Sequence, residues 1–180
     1  MSVSKLAGSI KESSTLALNS KAKMLRAKGE PVIHLGVGEP KNPAPEAALM
    51  RSAALLDTGD IKYAPVGGTP SLKKAIVGYT EENYNKVVDP ENVIVSNGAK
   101  QSLYNILFSI IDPQDEVILL APYWVSYPEM VKLIGGIPLP VPSEDGTFYP
   151  RLQDIERVVT SYTKAVIVNS PNNRTGTMLS

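Results

Sequence analysis

Two short aliphatic runs most constrain what this chain can fold into, Val117-Ile118-Leu119-Leu120 and Ala165-Val166-Ile167-Val168, and Ile137 to Val141 between them also reads as a strand. Runs without apolar–polar alternation suit strands of a parallel sheet covered on both faces. Between them, Tyr127 to Leu133 and Leu152 to Val159 carry apolar residues at helical spacing. Upstream, Val93-Ile94-Val95 is broken by Asn97-Gly98, and Leu103, Ile106, Leu107 and Ile110 then recur at helical spacing. Strand, helix and strand within about 30 residues make a βαβ unit. The alternation as a whole predicts an α/β domain with a mostly parallel sheet flanked by helices. After Val168 come only a loop, Asn169 to Gly176, and the last residues to Ser180. The expected sheet is therefore incomplete, with an apolar face and an edge uncovered.

The first ninety residues read differently. Leu16, Ala17, Ala22, Met24 and Leu25 predict a helix over Ser14 to Lys28, stopped by Gly29. Val32 to Leu35 reads as a short extended run. Pro43 and Pro45 open a helix through Ala47, Leu49, Ala53 and Leu56, which Gly59 closes. Thr69 suits an N-cap with Pro70 in the first turn, where its missing N–H costs nothing. Leu72, Ile76 and Tyr79 give that helix an apolar side.

Composition narrows the function. Eighteen basic residues balance eighteen acidic ones, so nothing argues for nucleic acid or an anionic membrane, both of which need a basic surface. Without cysteine there are no disulfides, thiolate catalysis or Cys-based zinc sites. One histidine, His34, cannot build a multi-His metal site, and its apolar neighbours suggest a place at the edge of the core. No window approaches the ~20 apolar residues of a membrane span, and no signal-peptide core follows Met1. The expectation is a cytoplasmic protein without a metal.

Three loops follow predicted strands. Ser96-Asn97-Gly98-Ala99-Lys100-Gln101 puts a glycine where a helix begins, which suits a phosphate, though by itself a tight turn needs that glycine for steric reasons more often. Ala121-Pro122-Tyr123-Trp124-Val125-Ser126-Tyr127-Pro128 holds the single tryptophan. Its rings lie at a strand's C-terminal end, where open α/β sheets bind ligands, or they anchor the loop as a buried cluster. Ser170-Pro171-Asn172-Asn173-Arg174-Thr175-Gly176 offers amides that can meet a ligand or close an Asx-turn. Other patterns carry nothing: Ser-x-x-Lys occurs four times without companion motifs, Gly36-Val37-Gly38 lacks the third glycine of a dinucleotide loop, and Asn173-Arg174-Thr175 is a chance glycosylation match.

In order along the chain stand Gly36-Val37-Gly38-Glu39-Pro40, Lys62-Tyr63-Ala64-Pro65 with Gly67, Asn97 to Gln101, Ala121 to Pro128, and Asn169-Ser170-Pro171-Asn172-Asn173. This set resembles the class I aminotransferases, most closely the prokaryotic-type aspartate aminotransferases, from about Ser14 onward. The resemblance implies a pyridoxal 5'-phosphate enzyme of fold type I. Residues 1–44 would be the N-terminal arm and start of the small domain, and residues 45–180 a partial large α/β domain. It implies amino-acid and 2-oxo-acid substrates and a homodimer, or association with a full-length subunit. By resemblance, Gly98, Ala99 and Lys100 cradle the phosphate through backbone N–H groups. Trp124 stacks on the pyridine ring, and Asn173 meets the phenolic oxygen. Gly38 takes the substrate's α-carboxylate, where Trp124 and Asn173 also border the substrate, and Tyr63 reaches the partner subunit's phosphate.

Two departures qualify that resemblance. The family's Schiff-base lysine, pyridinium aspartate and carboxylate-clamping arginine fall beyond Ser180, and none of the 13 lysines present matches that lysine motif. No catalytic residue is assigned, and these 180 residues alone are expected to be inactive. Arg174 stands where the family has proline after a typically cis bond. Since a non-proline cis bond costs about 2.5–4 kcal/mol, Arg174 is expected to force trans or strain the loop that aims Asn173.

Overall fold

The computed structural model describes residues 3–10, 14–36, 38, 40–144 and 146–179. They form two compact units, Met1–Val37 with Leu103–Ser180, and Gly38–Ser102.

The first unit is built on strand β1 (Glu116–Leu120). It pairs in parallel with β2 (Ile137–Val141) on one side and β3 (Thr163–Ile167) on the other, so the strand order is β2-β1-β3. Val117, Ile118 and Leu119 are all fully buried. Because neighbouring side chains of a strand point to opposite faces, both faces of β1 must be covered, and the unbroken apolar run is what that requires. On one face Val117 and Leu119 join a cluster with Leu107, Ile111, Tyr127, Met130 and Val131. Tyr127, Met130 and Val131 come from α6 (Ser126–Leu133), which crosses from β1 to β2. Leu107 comes from α5 (Ala99–Ile110). A second crossover, α7 (Leu152–Val158), carries the chain from β2 towards β3.

Prolines at 138 and 140 fit β2 because it is an edge. The Ile137 N–H donates to the Asp115 carbonyl at 2.8 Å, and the Ala121 N–H to the Val141 carbonyl at 2.9 Å. Alternate residues therefore face β1, and the two prolines fall on the outer side, where no N–H is needed.

The same unit contains α1 (Lys5–Ser9) and α2 (Ser14–Ala27), one residue shorter than predicted. Val32 to Leu35 is not a strand. The Arg26 guanidinium donates twice to the Val32 carbonyl, at 3.1 and 3.3 Å, while Ile33 and Leu35 stand about nine-tenths exposed. With that carbonyl taken and no strand alongside among the described residues, the run has no ladder to join.

The second unit holds α3 (Glu46–Asp57) and α4 (Pro70–Tyr84). Thr69 caps α4 as expected, its hydroxyl accepting from the Leu72 N–H, with Pro70 in the first turn. Val93 to Val95 is also not a strand. The Val95 N–H meets only the Gly67 carbonyl, at 3.0 Å, and its side chain lies on Gly68, where an added Cβ would come within 2.5 Å of Val95. Gly68 also has φ +101, so both space and backbone demand glycine there. The βαβ units of the structure thus start at β1, one strand later than the aliphatic runs suggested.

Replacing Leu119 with alanine removes packing from the most buried strand. We expect the urea midpoint to fall by the equivalent of about 2–5 kcal/mol with an unchanged m-value, measured by far-UV circular dichroism.

Candidate functional site

Two loops leave the C-terminal ends of adjacent strands. Residues 121–125 follow β1, and residues 168–177 follow β3. Parallel pairing places these ends on the same edge of the sheet, where ligands of open α/β sheets bind.

In the first loop Tyr123 and Trp124 pack at the rim of the core cluster, and Tyr127 lies inside it. The Trp124 and Tyr127 rings meet edge to face, 5.6 Å apart at 88°. Anchoring and presentation therefore coincide: Trp124 is half-buried, and Tyr127 holds it from the core side. Burial raises the Tyr127 pKa above its ordinary value of 10.0, because the phenolate would lose hydration.

The second loop is closed by its own side chains. Asn172 Oδ1 accepts the N–H groups of Arg174 at 2.8 Å and Thr175 at 3.2 Å. Asn169 Oδ1 accepts the Asn173 N–H at 3.1 Å, and Ser170 Oγ accepts the Leu179 N–H at 2.9 Å. Asn172 Nδ2 donates to the Pro122 carbonyl at 2.8 Å, joining this loop to the first. Asn173 is exposed, and its side-chain amide makes no hydrogen bond among the described residues.

Arg174 resolves as trans. The cis bonds among the described residues are Ala121–Pro122 and Ser170–Pro171. The Arg174 N–H that closes the Asn172 turn is a donor that proline cannot supply.

In the second unit Gly98 precedes α5 with φ +82, a left-handed conformation that favours glycine. Its carbonyl accepts from Gln101 at 3.1 Å, and the Gln101 side chain accepts the Asn97 N–H at 2.6 Å, locking the turn from inside the helix. The Gly98 N–H donates to the Ser96 carbonyl. That of Ala99 has no acceptor among the described residues. Lys100 is exposed in the first turn. Tyr63 is fully exposed, and Gly38 is exposed with open space around it. Val37 and Glu39 of the Gly36–Pro40 motif lie outside the described residues.

His34 sits half-buried in the first unit. Its Nδ1 accepts the Gly36 N–H, which assigns the single ring N–H to Nε2, donating to Asn19 Oδ1 at 3.2 Å. Of the two uses the sequence offered for the asparagines of this loop, Asn172 takes the Asx-turn, while Gln101 was quoted only as part of a motif. Among the described residues no group of three His, Cys, Asp or Glu could hold a metal, and no helix is long and apolar enough to cross a membrane.

Within the first unit a half-buried indole and an exposed amide stand on loops at the same end of the sheet; within the second, a backbone N–H without an acceptor among the described residues stands at a helix start.

Comparison with known proteins gives a family. The model for aminotransferase class I and II matches residues 30–180. The probable aspartate/prephenate aminotransferase of Thermus aquaticus is 46% identical over 170 residues, covering 93% of this chain and 44% of that protein. The aspartate aminotransferase of Geobacillus stearothermophilus is 42% identical over 177 residues, covering 98% of this chain and 45% of that one. The solved structure of Thermus thermophilus aspartate aminotransferase with maleate superposes with a TM-score of 0.93 at 41% identity, covering 99% of this chain and 47% of its own. The chain thus spans rather under half the length of the relatives it matches.

Tyr127 generates a pH prediction. Its folded pKa is raised, so above about pH 10 the unfolded chain has lost a proton that the folded one keeps. Stability should fall as pH rises through that range. Thermal melts between about pH 9 and pH 11 should show the slope in the natural protein and a shallower one in Tyr127→Phe.

Proposed function

Since the chain belongs to the class I and II aminotransferases, we propose that it carries the cofactor-holding half of a pyridoxal 5'-phosphate-dependent aminotransferase of the aspartate type. The observation that carries this is the pairing of the Trp124 and Asn173 loops at one edge of the sheet. The cofactor, when bound, supplies an electron sink for the charge left when an α-proton departs.

This chain's residues have the tasks of binding and orienting. In the first unit, the Trp124 ring holds a flat face, and the Asn173 amide donates to a phenolic oxygen. In the second, Gly98, Ala99 and Lys100 form the phosphate turn, with the Ala99 N–H as its clearest donor. Gly38 serves an α-carboxylate, and Tyr63 the phosphate of a partner subunit in a homodimer. Residues 1–44 belong with the small domain in this reading, and residues 45–180 with the large one. An amino acid and a 2-oxo acid are the substrates, aspartate the amino donor, and the cytoplasm the compartment. No lysine here takes the reacting role, so the chain alone binds without turning over.

Titration with pyridoxal 5'-phosphate should quench Trp124 fluorescence to saturation. Asn173→Ala should weaken binding about tenfold, the loss of one hydrogen bond to a charged group. Absence of saturable quenching, or turnover of aspartate and 2-oxoglutarate by this chain alone, would overturn the respective halves of the reading.

A second reading, association with a longer aminotransferase subunit, is favoured by one surface of the first unit. An apolar trough runs between α5 and the open side of β3, lined by Leu103, Ile106, Leu107, Ile110 and residues 165–168. Ile106 and Val168 there are more than half exposed. Light scattering should then show a complex with a full-length relative that Val166→Lys abolishes. A stable monomer that ignores the relative would count against it.

A further inference from the structure

We propose that Asn172 is a positioning residue that couples the Trp124 loop to the Asn173 loop and holds the two at one spacing. The purpose of the coupling rests on the proposed reading of Trp124 and Asn173 as cofactor contacts. The coupling itself rests on geometry.

Asn172 precedes Asn173, and Pro122 lies two residues before Trp124. Its side chain bridges 50 positions of sequence, through Nδ2 to the Pro122 carbonyl at 2.8 Å. On the other side its Oδ1 accepts the Arg174 and Thr175 N–H groups. Its own backbone is also engaged, the N–H donating to the Thr177 carbonyl at 2.8 Å and the carbonyl accepting from Gly176 at 2.9 Å. Residue 172 therefore cannot shift without breaking the turn or the tie.

The chemistry singles out asparagine. Backbone N–H groups only donate and the Pro122 carbonyl only accepts, so one amide orientation satisfies all three partners and its flip satisfies none. Aspartate would keep the acceptor for the two N–H groups but turn a carboxylate oxygen towards the Pro122 carbonyl, exchanging attraction for repulsion. Alanine would lose both functions. The two substitutions thus separate folding of the turn from coupling of the loops.

The test uses the 180-residue chain with Asn172→Asp and Asn172→Ala. Acrylamide quenching of Trp124, the single tryptophan, reports the first loop. Tryptic cleavage after Arg174, followed by mass spectrometry, reports the second. Asn172→Asp should leave cleavage within about twofold of the natural chain while Trp124 becomes more accessible to acrylamide. Asn172→Ala should change both, with cleavage about tenfold faster as the turn opens. Natural Trp124 quenching in Asn172→Asp would overturn the proposal and leave Asn172 as a local turn residue. Should Asn172→Ala fail to fold, Asn172→Asp still decides. Neither readout needs cofactor. A natural chain that fails to bind pyridoxal 5'-phosphate while Asn172→Asp uncouples Trp124 would reject the cofactor reading and keep the coupling.

Discussion

Strand β1 is hydrogen-bonded on both sides and buried on both faces, and the first unit is arranged around it. Val117 and Leu119 hold α5 and α6 against one face, and Ile118 is buried on the other. Parallel pairing to β2 and β3 then sets all three strands pointing the same way. Two polar or aromatic loops from adjacent strands consequently emerge together. That the two loops share one end of the sheet follows from the direction of pairing, not from the residues in the loops.

The aromatic loop is anchored from the core side. Tyr127 belongs to the core cluster, and Tyr123 and Trp124 close its rim. In the proposed role, a ring held this way would lose little further freedom on meeting a ligand, which is how preorganisation favours binding. The asparagine loop reaches the same end with hydrogen bonds instead of apolar contacts. Asn169, Ser170 and Asn172 spend their side chains on backbone groups, leaving Asn173 outward. Arg174 fits this scheme because its N–H completes the Asn172 turn.

The open side of β3 contrasts with the outer edge of β2. Pro138 and Pro140 leave β2 few donors for another strand, whereas β3 has one paired side and an apolar trough beside it. A sheet edge with apolar cover missing is the kind that recruits further chain.

Much of this was legible in the residues. An unbroken aliphatic run identified β1 because a strand covered on both faces has no polar side, apolar residues marked β2 and β3 as well, and Thr69-Pro70 marked the start of α4 because caps are local chemistry. The ordered motifs pointed to the family for the same reason: residue types at fixed spacing are a one-dimensional record. Val32 to Leu35 and Val93 to Val95 misled, since a strand exists only where a neighbour supplies its ladder, and that neighbour is not written in the strand. Arg26 and Gly67 took the groups a ladder would have used. Nor could sequence show that Asn172 reaches Pro122, 50 residues away. The residues by themselves marked which loops follow the strands and where the aromatic and amide side chains lie in them. Tertiary structure decided which loops are tied together, because a hydrogen bond needs its donor and acceptor brought within 3 Å, and only the parallel pairing of β1 and β3 does that.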